Sequence, residues 1–116
     1  MTEPKQLQLF PYQAFDDYQN WAMSKAIYKN KTAAYFYPIL GLVSEVGEFA
    51  ALLKREIRDG EYSKENLKKE AGDILWYLAA VCREEGLTMS EVVAASIEKL
   101  EGREKRGTLN GSGDDR

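Results

Sequence analysis

A chain of 116 residues has room for one domain with a real core but not for two. Its 44% apolar and 30% charged residues fit the soluble globular class, and a formal charge of −3 argues against general nucleic-acid binding, which needs a concentrated basic face. No histidine occurs anywhere, which removes His-based triads, His general bases and His-containing zinc or di-iron sites, and leaves catalysis to carboxylates, Lys, Arg, Tyr, Ser or a bound metal.

The opening "MTEPKQLQLF" lacks a signal-peptide pattern, and no apolar run approaches bilayer length, so no membrane partner is expected. The single cysteine, Cys82, cannot form an intramolecular disulfide, which points to a reducing cytoplasm. Amid "YLAAVC" it reads as a small apolar core group, with no His to activate it as a nucleophile.

Four helices and no sheet are expected. The first runs from about Pro11 to Tyr28, with Pro11 at a first helical position and Phe15, Tyr18, Trp21, Ala22 and Met23 at approximately helical spacing. A loop over Lys29 to Phe36 follows. The second helix begins near Pro38 and stops at "RDG", where Gly60 suits a C-terminal cap. The third starts at the N-cap Ser63 and ends at Gly86. Thr88 with Glu91 makes a capping box for a fourth helix reaching about Lys105. Residues 1–106 thus read as one helical domain with an N-terminal extension. Residues 107–116, "GTLNGSGDDR" from Gly107, read as a small, polar, disordered tail.

The second and third helices carry the same acidic pattern. "LVSEVGEF" holds Glu45 and Glu48, and "LKKEAGDI" holds Glu70 and Asp73, each pair three residues apart and so one turn apart on a single side. Their angular neighbours are apolar: Leu42, Phe49 and Leu52 on one helix, Leu67, Ile74 and Tyr77 on the other. An uncompensated carboxylate beside an apolar face costs several kcal/mol, roughly, unless it is paired, protonated or bound to a cation. Four acids converging from two packed helices repel one another, and four matching cations are not evident. A divalent metal accounts for the set, and oxygen-only ligation favours Mg²⁺, with Mn²⁺ as a substitute. The bland alternative is a solvated acidic helix surface. Gly47 and Gly72 sit inside these helices away from the acids, where close helix packing would explain them.

"YPILGLVSEVGEFAALLKREIRDG" followed by "LKKEAGDILWYLAAV" resembles the MazG-like nucleoside triphosphate pyrophosphohydrolases of the all-α NTP pyrophosphatase superfamily. The family's ExxE and ExxD signature falls on Glu45, Glu48, Glu70 and Asp73, and the likeness continues through "SIEKLEGREKRGTLNGSGDDR". It implies a four-helix MazG-like bundle that assembles as a homodimer or a dimer of dimers. It also implies Mg²⁺-dependent cleavage of the α–β phosphoanhydride of a nucleoside triphosphate, with the four acids as catalytic metal ligands. Lys99 and Arg103 match basic positions of the family's fourth helix that face the triphosphate. Their spacing of four puts them on one face, although a basic helix end also suits the helix dipole without any ligand. Two positions depart from the pattern: Ser44 stands where relatives often carry another Glu. Ser96 stands where they carry Asn, and it reaches less far.

Tyr28, Tyr35 and Tyr37, with Trp21, are candidates to line a base pocket, whereas aromatics at helical spacing such as Tyr18, Trp76 and Tyr77 are more often core. The rival readings are a sibling chemistry on the same scaffold, such as a dUTPase or a phosphoribosyl-ATP pyrophosphohydrolase, and a non-catalytic helical assembly module holding a structural cation.

Overall fold

The computed structural model describes residues 11–28 and 31–116. Among the described residues four α-helices follow in order: α1 Tyr12–Met23, α2 Lys31–Asp59, α3 Lys64–Glu84 and α4 Met89–Arg106. No strand occurs among the described residues, and the fold is all-α. The N-terminal decapeptide and Lys29 and Asn30 of the expected first loop lie outside the described residues.

The caps between α2 and α4 are written locally. Gly60 takes φ 73° after α2, and its N–H donates to the Glu56 carbonyl. Ser63 Oγ accepts from the Asn66 N–H, and Thr88 and Glu91 form the reciprocal capping box at the head of α4. Gly86, at φ 74°, lets the chain leave α3, with the Leu87 N–H reaching the Cys82 carbonyl at 2.8 Å.

Two boundaries differ from expectation. Helix α1 stops at Met23, not Tyr28, and Pro11 is its N-cap, not its first helical residue. At the C-terminal end the N–H groups of Ser24, Lys25 and Ala26 all bond three residues back, and Ser24 Oγ donates to the Trp21 carbonyl, so the last turn tightens and closes. Helix α2 starts at Lys31 and runs through Pro38, so the expected loop is largely helix. A proline inside a helix forfeits a backbone bond and costs about 3 kcal/mol. Pro38 is fully buried, and its packing offsets that loss.

Helix α2 packs along α3, and α1 lies on both α3 and α4. Ala22, Ala79 and Met89 form the small core where these last three meet, with Phe15, Tyr18, Met23 and Trp76 around it. The small alanines let the helices approach closely. Gln19, itself buried, stitches the three together: its amide donates to the Ala79 and Leu87 carbonyls at 3.3 and 3.1 Å, and its oxygen accepts from the Met89 N–H at 3.0 Å. Asp16 accepts from the Ser90 N–H and hydroxyl at 2.9 and 2.7 Å, so α1 adds a second cap to α4. Cys82 is buried, as expected, and burial pushes its thiol pKa up, away from nucleophilic use.

The close helix contact is made by Gly41. A Cβ there would overlap the Tyr77 ring, whereas a Cβ at Gly47 or Gly72 would meet nothing within 4 Å. The packing role expected of Gly47 and Gly72 is therefore not exercised within the chain. The opposite side of α2 is apolar and uncovered: Ile39, Val43, Val46, Leu53 and Ile57 recur along one stripe, with Val43 66% and Ile57 88% exposed. Residues 34–59 are in consequence long and apolar enough to cross a membrane by length and composition alone. This corrects the expectation that no apolar run approaches bilayer length, although Glu45 and Glu48 lie within the segment.

The C-terminal segment is also more ordered than its composition implies. The chain turns at Gly107 (φ 70°), and Arg116 donates to the carbonyls of Thr108, Leu109 and Gly113. One long guanidinium thus satisfies several carbonyls that a glycine-rich loop would otherwise leave to water.

Candidate active site

Packing α2 against α3 brings Glu45 together with Glu70 and Asp73. One carboxylate oxygen from each lies within 4.8 Å of the other two. Glu48 is not part of that trio; it lies one turn further along α2, exposed, though its charge reaches Glu45. Glu45 and Glu70 are half-buried and Asp73 is exposed, so the cluster sits at the rim of the helix pair.

The electrostatics are those of an uncompensated acidic site. The Glu45 carboxyl is raised above its usual range, first by burial, then by the Asp73 charge, a hydrogen bond with Glu70, and the charges of Glu70 and Glu48. No cation is among those influences. Three converging oxygens are what a hard divalent cation uses, and such an ion would reverse the repulsion on Glu45. Two oxygens on one Mg²⁺ cannot lie more than about 4.2 Å apart, twice the ~2.1 Å bond length, so small side-chain rotations would close the trio on an ion. The donor set fits Mg²⁺ or Mn²⁺.

Beside the acids lies an aromatic cleft of about 310 Å³, lined by Lys25, Ile27, Tyr28, Tyr37, Trp76 and Tyr77. That volume is at the lower end of small-molecule sites, roughly 300–1,000 Å³. Tyr28 and Tyr37 stack with centroids 5.5 Å apart, and Tyr77 stands edge-on to Trp76 at 5.1 Å. Tyr77 joins the cleft to the acids: its hydroxyl pKa is raised by burial, by a hydrogen bond with Tyr37, and by the charges of Glu45 and Asp73. Tyr28 is held from outside, accepting from Arg83 at 2.8 Å and donating to Glu84 at 3.1 Å.

Of the four aromatics predicted to line a base pocket, Tyr28 and Tyr37 line the cleft. Tyr35 does not, being 52% exposed and paired edge-on with Phe36. Trp21 does not either; it is 58% exposed, near Tyr18 and Lys25. Sequence reasoning let Trp76 and Tyr77 stack on a base but favoured the core, and Trp76 does both, packing on the core cluster as well as lining the cleft. Their signal was position: they follow Asp73 by three and four residues, which places them on the acid-bearing side of α3.

Lys99 and Arg103 share one face of α4, as their spacing implies, and both are engaged by the C-terminal segment. Lys99 Nζ lies 2.8 Å and Arg103 3.3 Å from the same Asp114 carboxylate oxygen. Arg103 is buried and also donates to the Gly113 and Asp114 carbonyls. The Asp114 carboxyl is held below its usual range by Lys99 first, then by Arg103.

A carboxylate trio contributed by two antiparallel helices defines an all-α class of acidic-site domains, and comparison with known families identifies which one. The MazG nucleotide pyrophosphohydrolase domain matches residues 38–108, a span holding all four motif acids, Lys99 and Arg103. The chain belongs to this family. It is 36% identical over 111 residues to the "Gene 37 protein" of Mycobacterium phage L5, an alignment covering 87% of this chain and 97% of that one. No solved structure matches the chain.

Proposed function

We propose that this protein is a Mg²⁺-dependent nucleoside triphosphate pyrophosphohydrolase, cleaving the α–β phosphoanhydride to give a nucleoside monophosphate and pyrophosphate. The observation that carries the reading is the convergence of Glu45, Glu70 and Asp73 beside an aromatic cleft, in a chain of the MazG family. The three carboxylates would hold the cation, with Glu48 one turn away as a further oxygen donor. The cation, when bound, supplies charge neutralisation on the phosphate oxygens and an acidified water.

The chain's own residues supply the rest. Trp76, Tyr77, Tyr28 and Tyr37 offer ring faces and edges for a nucleobase, and the Arg83–Glu84 pair keeps Tyr28 in place. Tyr77 sets the base side next to the acid side, so a bound nucleotide would present its phosphates to Glu45 and Asp73. Lys99 and Arg103 serve as cationic ligands for the departing pyrophosphate. Ser96, in place of a longer Asn, gives that face shorter reach, so base and sugar preference belong to this chain's own cleft.

Assembly as a homodimer or dimer of dimers in the cytoplasm accounts for the uncovered stripe on α2. Covering that stripe with a second copy leaves the acid side of α2 against α3. The test is a panel of (deoxy)nucleoside triphosphates with Mg²⁺, read by pyrophosphate release, with EDTA as control. Release of pyrophosphate that EDTA abolishes supports the reading. No release from any nucleotide, together with metal-dependent melting, would replace it by the structural-cation alternative.

A further inference from the structure

Segment 107–116 is built as a closed unit, and one of its side chains reaches back onto α4. Arg116 fastens the segment to itself through three carbonyls, Arg106 donates to the Arg116 carbonyl at 2.7 Å, and Gly107 with its left-handed backbone forms the joint to the helix. From this unit Asp114 places one oxygen between Lys99 and Arg103.

The fit between this carboxylate and its two cations is incomplete. Arg103 is 6% exposed, yet only one of its terminal nitrogens is used by the segment, at 3.2 to 3.3 Å, and its Nε has no hydrogen-bond partner among the described residues. A guanidinium offers five donors in a planar fork suited to two-point contact with an oxyanion. Asp114, in contrast, is 84% exposed, so its ion pairs are open to water and screened by salt. A buried, under-used arginine under an exposed carboxylate is a strong anion site with a weak occupant. Beside Lys99 an open cleft runs along Ala95, Glu98, Gly102 and Arg106 to Asp114 and Asp115, two carboxylates that leave its lining if segment 107–116 swings away.

We propose that residues 107–116 form a displaceable anionic cap, in which Asp114 occupies the place on Lys99 and Arg103 that a phosphate group of the triphosphate or of pyrophosphate takes. The cap rests on the reading of Lys99 and Arg103 as phosphate ligands. Substrate or product binding opens it by swinging the unit about Gly107, and release lets Asp114 return and helps expel the product. The segment thereby sets phosphate affinity without touching the acid trio.

The experiment is calorimetric titration of inorganic pyrophosphate in EDTA into the 116-residue chain and its variants. Asp114→Asn should bind about three- to tenfold more tightly, the range set by losing two ion pairs whose carboxylate is exposed. Arg116→Gln, which loosens the unit while leaving Asp114 in place, should shift affinity the same way, and adding Lys99→Gln should remove the gain. Unchanged or weaker affinity in both Asp114→Asn and Arg116→Gln, with native helix content, would overturn the cap and make Asp114 a structural pin. If no nucleotide is hydrolysed yet Asp114→Asn still gains affinity through Lys99, the hydrolase reading fails and the cap stands. Normal hydrolysis with unmoved pyrophosphate affinity gives the reverse.

Discussion

Glu45 carries the largest electrostatic load at the rim, because burial and three neighbouring carboxylates all raise its proton affinity. The consequence for stability has a definite sign. A carboxyl with a raised pKa binds its proton more tightly in the folded state, so its contribution is present at acid pH and lost as pH rises through the folded value. Thermal stability without divalent metal should therefore fall as pH climbs from the ordinary carboxylate range toward neutrality, and Glu45→Gln should flatten that slope. Mg²⁺ should restore the melting temperature at neutral pH in the native chain but not in the variant. Scanning calorimetry across that range checks both. A slope that survives Glu45→Gln unchanged would assign the titration to another group. At this scale the acids were legible because a three-residue spacing dictates a shared helix side. The exclusion of Glu48 from the trio was not legible, since it depends on how α2 is turned against α3.

At the scale of elements, glycine placement separates packing from propensity. Gly41 lies against Tyr77, so Gly41→Ala forces overlap and should destabilise by about 1–3 kcal/mol, outweighing its gain in helix propensity. Gly72 faces open space, so Gly72→Ala should stabilise by up to about 1 kcal/mol. Urea unfolding of the two variants reads the contrast, and equal shifts would contradict the packing described. The helices among the described residues and the Ser63, Thr88 and Gly86 caps were legible because each cap is a signal of three or four residues. The start of α2 was not, because Pro38 reads locally as the beginning of a helix, whereas burial lets it sit inside one. The order of residues 107–116 was not legible either, because it depends on where Arg103 and Arg116 find acceptors.

At the scale of the molecule, α2 has two apolar sides, and among the described residues α3 is the helix that packs along it. One side meets α3, while Ile39, Val43, Val46, Leu53 and Ile57 face outward. In the proposed assembly a second copy would lie against this stripe, which two-fold symmetry would make its own complement. Glu45 and Glu48 on the other side make a lipid-buried α2 expensive. Sedimentation should give a particle of at least twice the 13.2 kDa chain, and Val43→Asp with Ile57→Lys should reduce it to one chain. Sedimentation of the native protein as a single chain would contradict the assembly.

The central claim joins these scales: carboxylates set on two helices by a repeated spacing act together on a nucleotide. Its most direct measurement is pyrophosphate release at saturating Mg²⁺ by the native protein and by Asp73→Asn, with helix content monitored by circular dichroism. Asp73 is exposed at the rim, so its amide should leave the fold intact. Loss of a metal-binding oxygen should lower the rate by about 100-fold or more, beyond the cost of disturbing an outer-shell partner. The same rate from a folded Asp73→Asn chain would contradict the account.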